Sequence, residues 1–180
     1  FTYVCLDHIF YLDFYSIERF GKTKLGQILL YAKQSQNRRL MKELADDIHP
    51  KVDRIMLKYK IDAIGFIPPT VKREVQFMKE LEKNLRPVVK MISITKIKTE
   101  IIVPQKTLNK LGDRIENAQK TMIVNEAGKY KTILLIDDAV GSGATLNEIA
   151  CQIKSKNIAK KVVGLSITGS FKGFDVISEV

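Results

Sequence analysis

The chain has 180 residues, of which 45% are apolar, and its 30 basic and 20 acidic side chains give a net charge of +10 at pH 7. This length and composition fit one domain with a proper core. Charged residues interrupt each early apolar stretch, and no run approaches the roughly 18 apolar residues of a membrane span, so we expect neither a signal peptide nor a membrane protein. The basic excess favours anionic partners such as phosphorylated small molecules or nucleic acid, with a solvated lysine-rich surface as the alternative.

Cys5 and Cys151 are the only cysteines, and they lie far apart in the sequence. This usage argues against a disulfide framework and favours a reducing compartment, so a cytoplasmic location is expected. Cys5 and His8 are two candidate metal ligands, but a structural zinc site normally has four. We therefore interpret them as chance neighbours.

The sequence of the first third of the chain predicts an N-terminal extension that packs on the core formed by the rest of the chain. Residues 1–20 are rich in aromatic side chains and predict extended or hairpin structure; a platform for stacking bases is the less favoured alternative. From Lys22 to about Lys60 the apolar spacing predicts two or three amphipathic helices, with a connection at 34–37 and a break at Pro50, near the first turn of the last helix. The predicted division places this extension at 1–60 and the core at 61–180.

Strand and helix patterns alternate in the predicted core. The predicted strands are 61–67, 88–97, 121–124, 132–136 and 161–168, and the predicted helices are 72–85 and 144–155. Residues 98–119 predict a long loop that contains a short helix, and loops of that length are usually functional. The alternation predicts an α/β fold, with an open and mainly parallel sheet flanked by helices.

The stretch ILLIDDAVGSGAT, residues 133–145, carries the candidate site. Asp137 and Asp138 follow an apolar strand, and unpaired carboxylates are costly to bury, so two of them at the edge of a core indicate a binding function. The small residues that follow predict a turn whose backbone N–H groups, with the start of the next helix, would hold a phosphate. These residues are Ala139, Val140, Gly141, Ser142, Gly143, Ala144 and Thr145.

Both carboxylates can reach one ligand at the carboxyl end of the sheet only if the turn begins at Asp137, since neighbours within a strand face opposite ways. Other phosphate loops fit poorly. A Walker A loop has Lys followed by Ser or Thr at the helix start, whereas Ala144 and Thr145 follow Gly143 here. A dinucleotide loop would have a third glycine where Leu146 stands.

ILLIDDAVGSGAT closely resembles the phosphoribosyl-pyrophosphate (PRPP) binding fingerprint of type I phosphoribosyltransferases. IDAIGFIPP with the basic pair after it, and PQKTLNKLGDRIENAQKTMIV, are similar to the competence-type (ComF-like) branch of that family, as is the helical segment around KLGQILLYAKQSQNRRLMKELADDI. The chain departs from that branch after its proline-rich loop. It has Arg73-Glu74-Val75-Gln76 where an arginine-glycine-phenylalanine-asparagine run is usual.

The resemblance implies a type I phosphoribosyltransferase-like sheet and Mg²⁺-dependent transfer of phosphoribosyl from PRPP to a nitrogenous base or amine. It implies that Asp137 and Asp138 hold the ribose hydroxyls and favour the positive charge of the transition state, and that residues 139–145 hold the 5′-phosphate. Mg²⁺ is expected to bind through the substrate, with the two aspartates as its nearest protein oxygens and no dedicated cage. The implied pyrophosphate ligands are Lys72 and Arg73, and the implied lid residues are Lys106, Lys110 and Arg114.

The resemblance leaves the acceptor base unknown, with Phe171 or Phe174 as candidates to stack on it. Two other functions stay open beside the transferase. One is a PRPP-binding sensor without turnover, and the other is a competence or DNA-uptake accessory that binds nucleic acid. PRPP or pyrophosphate, the base, nucleic acid and a second copy of the chain in a homodimer are the candidate partners.

Overall fold

The computed structural model describes residues 3–17, 21–69, 71–97 and 111–170. The strands are β1 (His8–Phe14), β2 (Ser16–Ile17), β3 (Gly21–Lys22), β4 (Ala63–Phe66), β5 (Lys90–Met91), β6 (Ser93–Lys96), β7 (Met122–Asn125), β8 (Tyr130–Val140) and β9 (Ala159–Gly169). The helices are α1 (Lys24–Ser35), α2 (Arg38–Tyr59), α3 (Phe77–Leu85), α4 (Leu111–Thr121) and α5 (Ala144–Ser155).

The central sheet has five strands in the order β1-β9-β8-β4-β5, and each adjacent pair is parallel. Two small antiparallel pairs, β2 with β3 and β6 with β7, lie outside it. The predicted α/β class, an open and mainly parallel sheet flanked by helices, is therefore confirmed. The helix α5 has the predicted bounds.

Strand β8 explains why helices cover both faces of the sheet. Its side chains Leu134 and Ile136 pack into a core with α1, α2 and α3, whereas Ile133 and Leu135 pack into a second core with α5. All four are at most 1% exposed. Each such side chain stabilises the fold by about 1.5–3 kcal/mol, so the run ILLI fixes the strand at the centre of the molecule.

The predicted break at Pro50 is wrong, because α2 continues through it from Arg38 to Tyr59. The buried face of the helix continues on both sides of the proline, with Ile48 and Val52 in the core. Pro50 itself is exposed, so the carbonyl that loses its helical partner can be solvated. Asn37 supplies the N-cap of α2, since its side chain accepts hydrogen bonds from the N–H groups of Arg39 and Leu40.

The expectation of unpaired cysteines is also wrong. Cys5 and Cys151 form a disulfide, with their Cα atoms 5.0 Å apart across a sequence separation of 146 residues. The parallel pairing of β1 with β9 brings the segment before β1 against α5, and that contact cannot be read from spacing. Since the cysteines no longer indicate a reducing compartment, the cytoplasmic location stays a prediction.

The N-terminal segment is held to α5 by a polar contact beside the disulfide. The Asn147 side chain, which is 0% exposed, accepts hydrogen bonds from the N–H groups of Cys5 (2.8 Å) and Leu6 (3.3 Å) and donates to the carbonyl of Tyr3 (2.9 Å). The aromatic segment thus contains β1, an edge strand of the central sheet, and β2, which pairs antiparallel with β3. The division at residue 60 stays a prediction. Among the described helices, none is both long enough and apolar enough to cross a membrane.

Candidate functional site

A cavity of about 890 Å³ lies at the carboxyl end of β8, which is the edge where open parallel sheets bind ligands. Its size is in the range of small-molecule sites. The continuous stretch from Asp137 to Leu146 forms one wall. Residues from five other regions complete it, among them Tyr15, Lys33, Arg73, Arg114 and Thr168.

The predicted start of the turn at Asp137 is wrong, because β8 continues to Val140. Asp137 pairs with Ser166 and Ala139 with Thr168 in the β8–β9 register. By strand alternation, Asp138 lies on the face of α1 to α3 and Asp137 on the face of α5. Both aspartates still line the cavity, because it extends around the end of the sheet.

Buried hydroxyls on β9 contact the backbone of the acidic pair, and no local sequence pattern indicates this role. Ser166 and Thr168, each 0% exposed, donate to the main-chain carbonyls of Asp137 (3.4 Å) and Asp138 (3.3 Å). The N–H of Asp138 donates to the Asp137 carboxylate at 2.8 Å. These contacts restrain the main chain that carries both carboxylates.

Burial raises the pKa of Asp137 to about 8, and the neighbouring negative charge of Asp138 acts in the same direction. The hydrogen bond from the Asp138 N–H and the positive charge of Lys33 oppose the rise. The negative charge of the Asp137 carboxylate is therefore costly unless a cation or a ligand compensates it. Groups with such perturbed pKa values concentrate at functional sites.

The turn after β8 leaves the N-terminus of α5 open to the cavity. Gly143 is the N-cap residue, so no side chain caps the helix there, and the first turn of α5 contains no acidic residue. The φ of Gly143 is +74°, a left-handed conformation that favours glycine. Ser142 Oγ accepts a long hydrogen bond, 3.4 Å, from the N–H of Ala144. This geometry suits an anion.

The loop after β4 brings Arg73, but not Lys72, to the cavity. Arg73 donates from Nη1 to the main-chain carbonyl of Lys33, and its own carbonyl accepts from Gln76 Nε2 at 3.1 Å. Lys72 and Glu74 line an adjoining groove instead. The departure from the competence-type pattern at Glu74 therefore lies outside the main cavity.

Arg114, predicted as a lid residue, lies on α4 and lines the cavity beside the turn that follows β8. A Cβ built on Gly141 would lie 3.4 Å from Arg114 Nη1, so the guanidinium lies close over that glycine. Lys106 and Lys110, the other two predicted lid residues, lie outside the described residues, as do Phe171 and Phe174.

Sequence reasoning missed Lys33. Its ammonium forms an ion pair with the carboxylate of Asp138, and both side chains are mostly buried, with 27% and 22% of their surface exposed. Lys33 lies in the last turn of α1, far from the acidic pair in sequence. Nothing in its local pattern distinguishes it from the chain's many other lysines.

The carboxylates of Asp137 and Asp138 fit a Mg²⁺ ion that binds mainly through a substrate. Mg²⁺ prefers oxygen ligands, and it usually keeps several waters and takes only one or two carboxylates. Within the described residues, no group of three or more His, Cys, Asp or Glu is arranged to hold a metal. The donor set therefore suits a shared site rather than a cage.

Fold and site together define an α/β protein with a cavity at the carboxyl end of β8, lined by an acidic pair and a small-residue turn. Its structure is similar to that of a hypoxanthine phosphoribosyltransferase from Staphylococcus aureus, with a TM-score of 0.45 and 13% identity over 77% of this chain and 74% of that one. It is also similar to a purine phosphoribosyltransferase from Pyrococcus horikoshii, with a TM-score of 0.39 and 15% identity over 75% and 87% of the two chains. No protein-family model and no curated protein matches the sequence.

Proposed function

We propose that this protein binds Mg-PRPP and transfers its phosphoribosyl group to a nitrogenous base or amine, with release of pyrophosphate. One observation carries the proposal. An acidic pair stands directly before a small-residue turn that opens an uncapped helix, and all three line one cavity. A ligand with a hydroxyl pair close to a phosphate matches that order.

In this proposal the 5′-phosphate lies against the turn 141–145 and the N-terminus of α5. Backbone N–H groups of the first turn point out of the helix and have no helical partner, and the helix dipole adds positive potential there. Arg114 supplies a nearby cation, since its guanidinium lies over Gly141. The phosphate is thus recognised mainly by the main chain.

The ribose 2′- and 3′-hydroxyls donate hydrogen bonds to Asp137 and Asp138. As the bond from C1 to the pyrophosphate oxygen breaks, that oxygen keeps the electron pair and the ribose gains positive charge. Carboxylates fixed by the backbone contacts from Ser166 and Thr168 stabilise that charge without reorganising. The base nitrogen then bonds to C1 with its lone pair and releases its proton to water.

Arg73 binds the pyrophosphate leaving group, together with the other basic side chains that line the cavity. When bound, Mg²⁺ would neutralise part of the pyrophosphate charge, with Asp137 and Asp138 as the protein oxygens within its reach. Lys72 is assigned to the adjoining groove and not to the leaving group. The competence-type branch, the cytoplasmic location and the identity of the base stay predictions, and no described feature favours nucleic acid over PRPP.

Calorimetric titration of Mg-PRPP tests the proposal. The wild-type chain is expected to bind it, and the double variant Asp137→Asn/Asp138→Asn is expected to lose binding. Asp47→Asn, at an exposed position on α2, is the matched control and should bind like the wild type. Bases are then screened for pyrophosphate release. A folded wild-type chain that binds no PRPP would overturn the proposal.

A further inference from the structure

We propose that Lys33 is a positioning residue for pyrophosphate: its ammonium neutralises Asp138 in the empty cavity and transfers to the pyrophosphate of bound PRPP. This inference rests on the proposed function and adds a cation from the N-terminal part of the chain to it. The residues that carry it are Lys33, Asp138 and Arg73, which all line the same cavity.

The position of Lys33 is fixed because α1 is anchored at both ends. At its start, Thr23 Oγ1 donates to the carbonyl of Phe14 and accepts from the N–H of Gly26 at 3.0 Å. At its end, Gln36 Oε1 accepts from the N–H of Val75 at 2.9 Å. The last turn of α1 is therefore tied to the loop after β4, so the main chain of Lys33 cannot drift away from the cavity.

Lys33 and Arg73 form one cationic wall. The guanidinium of Arg73 donates to the main-chain carbonyl of Lys33, while the side chain of Lys33 extends to Asp138. Arginine has five N–H donors, so this single contact leaves others for an anion. The same contact holds the Arg73 guanidinium beside the main chain of Lys33.

The chemistry of lysine suits an exchange between two anions. Its ammonium is a mobile point charge on a flexible stem and is a common phosphate ligand. The ammonium of Lys33 pairs with the carboxylate of Asp138 and compensates the negative charge there. Once the ribose hydroxyls donate to Asp138, the more highly charged pyrophosphate is the better partner. Lys33 should therefore discriminate between PRPP and ribose 5-phosphate, which lacks the pyrophosphate.

Three ligands and three variants test this assignment. Lys33→Met, Lys33→Arg and the control Lys24→Met, at an exposed position in the first turn of α1, are titrated with Mg-PRPP, Mg-pyrophosphate and ribose 5-phosphate. Lys33→Met is expected to weaken the binding of PRPP and pyrophosphate by about 10- to 100-fold, the usual range for a hydrogen bond to a charged group. Its affinity for ribose 5-phosphate should stay at or above the wild-type value, because the lysine no longer competes for Asp138.

Lys33→Arg should restore most of the PRPP affinity, and Lys24→Met should behave like the wild type. Thermal melting confirms that each variant is folded. If Lys33→Met weakens ribose 5-phosphate and PRPP equally, or changes neither, Lys33 does not position pyrophosphate and the inference is wrong. If the wild-type chain binds none of the three ligands, the proposed function itself fails, so the two failures are distinguishable.

Discussion

The substitution Asp137→Asn should stabilise the empty protein, and by an amount that depends on pH. The pKa of Asp137 is raised from 3.8 to about 8, so the folded chain keeps a proton that the unfolded chain releases. The free energy of unfolding of the wild type therefore falls as pH rises from about 4 to about 8 and stays lower above that range. Asparagine has no proton to lose, so the variant lacks this decrease.

The size of the effect follows from the two pKa values. A difference of about 4 between the folded and unfolded pKa values corresponds to a loss of at most about 6 kcal/mol in the free energy of unfolding above pH 8. Asp137 is half-buried and lines an open cavity, so water screens part of this cost, and we expect the variant to be about 2–3 kcal/mol more stable at pH 9. Below pH 4 the two proteins should have similar stability.

Urea denaturation of both proteins between pH 4 and pH 9 measures this difference. Asp47→Asn, at an exposed position, controls for the loss of one negative charge from the whole protein and should show no such trend. A stability difference between Asp137→Asn and the wild type that stays constant over this range would refute the reasoning. The same variant should bind Mg-PRPP poorly, so stability and binding would change in opposite directions.

Three further predictions concern the scaffold around the cavity. Cys5→Ser/Cys151→Ser should lower the free energy of unfolding by about 3–5 kcal/mol, because the disulfide closes a loop of 146 residues; an unchanged urea midpoint when the wild type is fully reduced would contradict this. Gly143→Ala should lower the free energy of unfolding by about 1 kcal/mol, because alanine is strained at this positive φ although its Cβ has room. Gly112→Ala is the control and should not destabilise α4, and melting curves compare the two variants. Asn147→Ala should lower the free energy of unfolding by about 2–4 kcal/mol in the same melts, because the substitution leaves buried backbone groups without partners. A smaller loss of stability than that of Gly143→Ala would contradict this prediction.

The parts of the fold that the sequence predicts correctly are those that depend on patterns of neighbouring residues. The apolar run ILLI requires a strand buried on both faces, and the small-residue turn with an amphipathic pattern after it requires a helix, so α5 was predicted with its observed bounds. The end of β8 was predicted too early because aspartates disfavour strands. Pairing with β9 and the hydroxyls of Ser166 and Thr168 extend it to Val140.

The parts that could not be predicted depend on contacts between distant segments. Lys33 and Asp138 are 105 positions apart, and Cys5 and Cys151 are 146 positions apart. The pairing of β1 with β9 brings the cysteines together, and the packing of α1 on the sheet brings Lys33 to Asp138. Pro50 was misjudged for a related reason, since the core that continues along α2 outweighs the cost of a proline on its exposed side.

The pairing of β1 with β9 also has a consequence for synthesis on the ribosome. Among the described strands β1 is synthesised first, and its partner β9 is synthesised last, after every other strand and helix named above. Until then β1 has an apolar surface and two unpaired edges, a state that favours association with chaperones or with other nascent chains. The disulfide forms equally late, because Cys151 is made shortly before β9. The central sheet can therefore be completed only after β9 has been synthesised.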